Sequence, residues 1–314
     1  LSESRIVPVA VAVLRRPDGR VLLAQRLPGT PFPGYWEFPG GKLEPGESAR
    51  HALVRELREE LGIETLRAAP WLTQRYLYPH ANVELNFFRV FHWRGEPHGR
   101  DGQALSWQMP GAFDVAPLLP ANTLILRALA LPPVYGISMA EGLGEEVFLQ
   151  RARRAIDEGL RLIQLREKGW PTARLEKLAA QLLPMAHSAN ARVLLNADAE
   201  LARRLGCDGV HWPAATLLGA QARPEDMLCA ASCHDPVELA RAATLGLDFA
   251  VLGSVARTPT HPWSEPLGWG RVEAMLRGSP LPVYALGGLT AEDLDTAIDH
   301  GAHGVALRRA AWKA

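Results

Sequence analysis

A chain of 314 residues exceeds one average domain, so two domains are expected, each large enough to bury its own core. Lys plus Arg equals Asp plus Glu at 34 each, which argues against polymeric nucleic acid or an anionic membrane as partner; any anionic ligand must be held locally. The cysteines Cys207, Cys229 and Cys233 offer neither a disulfide framework nor paired zinc spacing, and read as small buried hydrophobes in a reducing, cytoplasmic setting.

The apolar run Ile6 to Leu14 is too short to span a bilayer and has no small-residue cleavage pattern, so it reads as a strand. With the turn Pro17-Asp18-Gly19 and the run Val21 to Gln25 it predicts a hairpin. Leu27 to Tyr35, rich in proline and glycine, predicts an irregular loop. From about Ser48, Leu53, Val54, Leu57 and Leu61 recur on one side and Gly62 is placed as a stop, which predicts a helix. On that helix Glu56, Glu59 and Glu60 stand at i, i+3 and i+4 and share one stripe. Such a stripe is either a solvated acidic face with Arg55 paired to Glu59, or a set of hard oxygen ligands for Mg2+, with Mn2+ as the alternative ion. The turn Pro39-Gly40-Gly41 can bring a backbone carbonyl towards the same place. Thr73 to Tyr78 and Glu84 to Trp93 predict strands, and Ala121 to Leu131 a helix that Pro132-Pro133 ends.

From Val134 the pattern changes. Short apolar runs at 134–138, 162–165, 193–196, 209–212, 228–232, 249–253, 282–288 and 304–307 alternate with helical patterns. Eight such runs predict a closed (β/α)8 barrel with its sites at the C-terminal strand ends; a doubly wound open sheet is the alternative. Seven residues follow Leu307, too few for a full closing helix. The expected architecture is therefore α/β, with domains at 1–131 and 134–314.

Residues 36–63 fit G-x5-E-x7-R-E-U-x-E-E-x-G-U at every specified position, through Gly41, Glu47, Arg55, Glu56, Leu57, Glu59, Glu60, Gly62 and Ile63. This is the Nudix box, and residues 5 to 131 resemble a MutT-type Nudix hydrolase. The resemblance implies an α/β/α sandwich that hydrolyses a nucleoside triphosphate to the monophosphate and pyrophosphate. It implies that Glu56, Glu59 and Glu60, with the Gly40 carbonyl, are metal ligands, with Arg55 in the catalytic set. Glu56 is the favoured general base. Asp101, in Arg100-Asp101-Gly102-Gln103, is its rival, or a turn Asp before Gly. Pro120-Ala121-Asn122 resembles the segment whose Asn reads oxidised guanine, while an Asn at a helix start also serves as an N-cap. Arg26, Phe38 and Tyr78 match positions near the base. The implied substrate is 8-oxo-dGTP.

Residues 134 to 312 resemble thiamine-phosphate synthase and its relative, the thiazole tautomerase. The resemblance lies in Gln164-Leu165-Arg166-Glu167-Lys168, Asp208-Gly209-Val210-His211, Ser232-Cys233-His234, Thr258-Pro259-Thr260 and Gly287-Gly288. It implies small phosphorylated thiamine precursors as ligands, held by Gln164, Arg166, Lys168 and an anion nest at Gly287-Gly288. Arg166 and Lys168 are otherwise surface cations. His234 matches a proton-transferring His of tautomerases, or is structural. The departures matter. Ala197 stands where synthases place an Asp, Pro213-Ala214-Ala215-Thr216 lacks the second magnesium-binding Asp, His261 follows Thr260, and Leu307-Arg308-Arg309 replaces small residues. Magnesium binding in the barrel is therefore impaired. Two further readings stay open: a Nudix hydrolase of thiamine-pathway diphosphates, and a barrel that only binds or scaffolds. No oligomeric state follows from the sequence.

Overall fold

The computed structural model describes residues 6–79, 81–196, 198–258 and 265–313; Ala197, Pro259, Thr260 and His261 lie outside them. The chain divides into two compact units, residues 1–130 with 277–280, and residues 131–276 with 281–314.

The first unit is an α/β/α sandwich. Its strands are β1 (Ile6–Leu14), β2 (Val21–Gln25), β3 (Trp36–Glu37), β4 (Gly40–Lys42), β5 (Glu64–Tyr78), β6 (Ala81–Arg94) and β7 (Leu105–Gln108), and its helices are α1 (Ala49–Leu61) and α2 (Thr123–Leu129). One sheet runs β4-β1-β6-β5 and the other β3-β2-β7. β1 is buried on both faces: Ala10, Ala12 and Leu14 pack under α1 with Leu53, Leu57 and Leu61, while Val11 and Val13 pack with Phe38, Phe87, Ile125 and Ala128 on the α2 side. That alternation follows from the twofold period of a strand.

The expected hairpin of β1 and β2 does not form. β1 pairs antiparallel with β4 and parallel with β6, so both its edges are taken, while β2 pairs with β3 and β7. A single Arg15–Val21 bridge is all that joins the two runs. A short turn licenses a hairpin but does not compel one when a strand buried on both faces has better partners. β5 is also longer than its C-terminal half predicts, because register shifts around Arg67 and between Pro70 and Thr73 break the simple alternation over Glu64 to Leu72.

Helix α1 carries its own signals. Ser48 caps it by accepting a hydrogen bond from the His51 N–H at 3.2 Å, and Gly62, at φ 68°, ends it in the left-handed conformation. α1 is thus fixed at both ends over β1 and β4.

The second unit is a closed parallel barrel of eight strands: β8 (Val134–Ile137), β9 (Leu162–Leu165), β10 (Arg192–Leu195), β11 (Gly209–Trp212), β12 (Leu228–Cys233), β13 (Phe249–Gly253), β14 (Val283–Leu286) and β15 (Gly304–Leu307). Tyr135, Phe249 and Tyr284 plug its interior with ring centroids 5.1–5.8 Å apart. The outer layer of Leu, Val, Ala and all three cysteines packs under the helices, and burial raises each thiol to about 12. After β15 no helix forms among the described residues. Trp312 closes that side instead, stacking edge-on with Phe148 and donating from Nε1 to the Ile137 carbonyl at 2.7 Å. No helix among the described residues is long and apolar enough to cross a membrane.

Leu57→Ala removes a fully buried side chain of α1. It should cost about 2–5 kcal/mol in denaturant unfolding of the first domain, whereas Leu77→Ala, largely exposed on β5, should cost little.

Candidate functional site

The first site grows out of a close approach. Gly40 lies opposite Val11 and Gly41 opposite Ala10 on the β1–β4 pair. A β-carbon at Gly41 would sit 2.2 Å from the Glu56 carboxylate, and one at Gly40 (φ 141°) 2.1 Å from the Ala10 carbonyl. These two glycines let the strand lie directly beneath the acidic stripe of α1.

Arg55 is the hub of that stripe. It donates to both oxygens of Glu47 at 3.1 and 2.9 Å, to Glu56 at 2.8 Å, to Glu59 at 3.1 Å and to the Lys42 carbonyl at 3.0 Å. These bonds, led by Glu47, raise the arginine pKa well above its usual range, and Arg55 in return lowers that of Glu47. Glu60 stands apart from the hub and accepts from the Gly40 N–H at 3.3 Å. Burial first, and the charge of Glu56 second, push its pKa up to about 7, with Glu37 and Asp101 adding to the shift. Among the described residues no three acidic, histidine or cysteine side chains converge on one point, since Glu56 and Glu59 are drawn to Arg55. Asp101 is exposed on a loop strapped to the end of α1: the Arg100 N–H and Gln103 Nε2 both donate to the Glu60 carbonyl, at 3.0 and 3.1 Å.

Beside Gly40 and Gly41 opens a cleft of about 210 Å3, whose walls include Arg26, Phe32, Glu37, Phe38, Tyr78 and Asn122. Arg26, Phe38, Tyr78 and Asn122, far apart in sequence, are thus brought together. Asn122 precedes α2 but makes no side-chain cap; its Nδ2 donates to the Trp36 carbonyl at 3.4 Å, and the residue is only 5% exposed. Arg26 is tied to Glu37 at 2.6 Å and to the Pro31 carbonyl at 2.6 Å, so it shapes the wall. Glu37 escapes sequence reasoning. Burial raises its pKa although Arg26 opposes the shift, which puts a carboxyl group of altered acidity on the cleft wall. Its one signal is its place beside Phe38 in the Trp36-Glu37-Phe38 run.

In the barrel, the chemistry-bearing residues lie in two layers. Gln164 donates from Nε2 to the Tyr135 hydroxyl at 3.2 Å. That hydroxyl lies 3.3 Å from His211 Nδ1, and His211 Nε2 lies 2.9 Å from Ser232 Oγ. Burial, then the charge of Arg166, lowers the His211 pKa to about 3. Above this network, Arg166 follows β9 and Lys168 is exposed. His234 directly follows β12: its side chain is 61% exposed and its Nδ1 lies 2.9 Å from Glu238, on the helix that begins at Pro236. Gly287 and Gly288 have φ values of 112° and 69°, and β-carbons there would meet Ser254 Oγ at 2.1 Å and the Arg257 carbonyl at 2.5 Å. Close packing of the β13 and β14 tips therefore requires both glycines.

The family model described as NUDIX domain matches residues 5–126, and that described as Thiamine monophosphate synthase matches residues 134–311. The first domain is similar to an 8-oxo-dGTP diphosphatase of Haemophilus influenzae, 39% identical over 127 residues, which are 40% of this chain and 93% of that one. It is also similar to a CTP pyrophosphohydrolase of Escherichia coli, 40% identical over 124 residues, 40% of this chain and 91% of that one. The second is similar to a putative thiamine-phosphate synthase 2 of Aquifex aeolicus, 29% identical over 180 residues, 57% of this chain and 96% of that one.

Gly41→Ala should displace the Glu56 carboxylate and lower kcat/KM roughly 100-fold without unfolding the domain, as steady-state kinetics alongside a thermal melt will show. His211 sets a pH dependence. Unfolded, it takes up a proton near its ordinary value of 6.5; folded, it resists until about 3. Barrel stability should thus be undiminished above pH 6.5 and fall as pH drops towards 3, and His211→Gln should flatten that slope in urea unfolding at pH 7 and 5.

Proposed function

The chain belongs to the NUDIX family through residues 5–126 and to the thiamine monophosphate synthase family through residues 134–311, and on that premise we propose that it is a Mg2+-dependent pyrophosphohydrolase converting 8-oxo-dGTP to 8-oxo-dGMP and pyrophosphate. The observation that supports this reading most is the cleft joining Asn122 to the Gly40–Gly41 turn under the α1 carboxylates. It sets a group able to read a purine edge beside groups able to manage phosphate.

Glu56, Glu59 and Glu60, with the Gly40 carbonyl, would hold the cation. The donors are all hard oxygens, with Mn2+ as the alternative to Mg2+, and the pKa of Glu60 is raised first by burial and then by the charge of Glu56, which Arg55 does not fully offset. A cation held there would supply positive charge to the phosphate groups and make water more acidic. Glu56 takes the proton of the attacking water, with Asp101 the alternative acceptor on its loop beside Glu60. Arg55 keeps Glu47, Glu56 and Glu59 in register along α1. Phe38 and Tyr78 enclose the base, and Arg26, braced by Glu37, fixes the wall opposite. The role in the cell would be cytoplasmic sanitation of the nucleotide pool, serving DNA repair.

The barrel, on the same premise, binds a small phosphorylated precursor of thiamine through Gln164, Arg166, Lys168 and the Gly287-Gly288 segment, with His234 available for proton transfer at the rim.

Glu56→Gln and Glu59→Gln should each lower Mg2+-dependent pyrophosphate release by on the order of 10²–10⁴-fold; substantial residual turnover in either would remove that residue from the site. Asn122→Ala should narrow the preference for 8-oxo-dGTP over dGTP in kcat/KM by about 1–3 kcal/mol, the cost of an unmet polar contact. A panel containing CTP and thiamine diphosphate checks the substrate, and faster turnover of either would overturn the assignment.

A further inference from the structure

We propose that the mouth of the barrel holds one dianionic, tetrahedral phosphate group between two guanidinium groups, Arg166 and Arg308, without a metal ion. The inference rests on the reading of the barrel as a domain for phosphorylated ligands, and adds to it the residue that completes the site and the absence of any need for a cation.

Arg166 directly follows β9 and Arg308 directly follows β15, with β8 between them in the barrel order, so both stand on one arc of the C-terminal rim. They are close enough that the charge of Arg308, after burial, lowers the pKa of Arg166. Arg308 Nε is buried and has no hydrogen-bond partner, and neither guanidinium group has an ion-pair or hydrogen-bond partner among the described residues. The nearby Glu167 carboxylate opposes the lowering at Arg166 only as the smallest of the three causes, and forms no ion pair with it among the described residues. Glu167 spends its oxygens on the Ser138 hydroxyl at 2.6 Å, the Ala140 N–H at 2.8 Å and the Glu141 N–H at 2.9 Å.

Two like charges held together and partly withdrawn from water are an unfavourable arrangement, and an arginine does not relieve it by giving up its proton. The compensating charge must come from a ligand. Planar forks match the oxygens of a phosphate, and two forks match its two charges. A carboxylate-bound cation has little to bind here: the helix after β11 opens with Ala214, Ala215 and Thr216, none of which carries a carboxylate.

The test is isothermal titration of the full chain in EDTA with inorganic phosphate and with phenyl phosphate, a monoester whose ring stands in for an organic ligand. We expect binding of at least one probe in EDTA, weakened about tenfold or more by Arg308→Gln and by Arg166→Gln, with Arg308→Lys in between because it keeps the charge and loses the fork. Tighter binding of phenyl phosphate assigns the site to an organic monoester, and equal binding to free phosphate. Near-UV circular dichroism establishes that each variant is folded. Binding unchanged in Arg308→Gln, or seen only when Mg2+ is restored, overturns the two-arginine site while leaving the phosphate-ligand reading intact. No binding of either probe with or without Mg2+ overturns both.

Discussion

There is no room for a β-carbon at residue 41, and the first domain is arranged around that fact. The Glu56 carboxylate occupies the space, so α1 can lie on β4 with its acidic stripe within reach of the Gly40 backbone. The approach is possible because Ser48 and Gly62 fix the ends of α1 and because Leu53, Leu57 and Leu61 press its other face onto β1. The β1 strand in turn is held from both edges, by β4 and β6. A helix anchored less firmly would relieve its crowded carboxylates by moving away. The apolar burial beneath the helix holds the charges above it in place.

Charge within that helix is distributed unequally. Arg55 gathers Glu47, Glu56 and Glu59, and leaves Glu60 to accept from the Gly40 N–H. The result is a graded set of carboxylates, from Glu47, lowered by its arginine, to Glu60, raised to about 7. The walls of the adjoining cleft include Glu37, whose pKa burial raises, and the uncharged amide of Asn122. A ligand lying in that cleft meets both charge and hydrogen-bonding shape.

How much of this the sequence discloses depends on the range of the interaction that decides it. The barrel strands are legible because parallel strands buried on both faces are short apolar runs, and each decides its own state. Helix α1 is legible from its cap, its periodicity and its glycine stop. The hairpin of β1 and β2 misleads because a turn is local while the choice of strand partner is not; the 3.0 Å and 2.9 Å bonds that make Arg55 a hub rather than the partner of Glu59 alone likewise need Lys42 and Glu47 folded back on the helix. Asn122 shows the same limit. Its position suits a helix cap, yet the fold turns its amide to the Trp36 carbonyl 86 residues away in sequence. Only packing shows that the amide does not cap the helix.

The two domains meet the problem of an anionic ligand with opposite electrostatics. In the first, the protein supplies oxygens of one sign and the reading requires a cation from solution to invert the field. In the second, Arg166 and Arg308 supply the positive sign directly, and Glu167 spends its hydrogen bonds on the Ser138 hydroxyl and on the Ala140 and Glu141 N–H groups just after β8. The overall balance of 34 basic and 34 acidic residues therefore conceals two local fields. Net neutrality in such a chain says little about its ligands: what matters is whether a charged side chain has a partner of its own, and at the barrel rim the geometry withholds one.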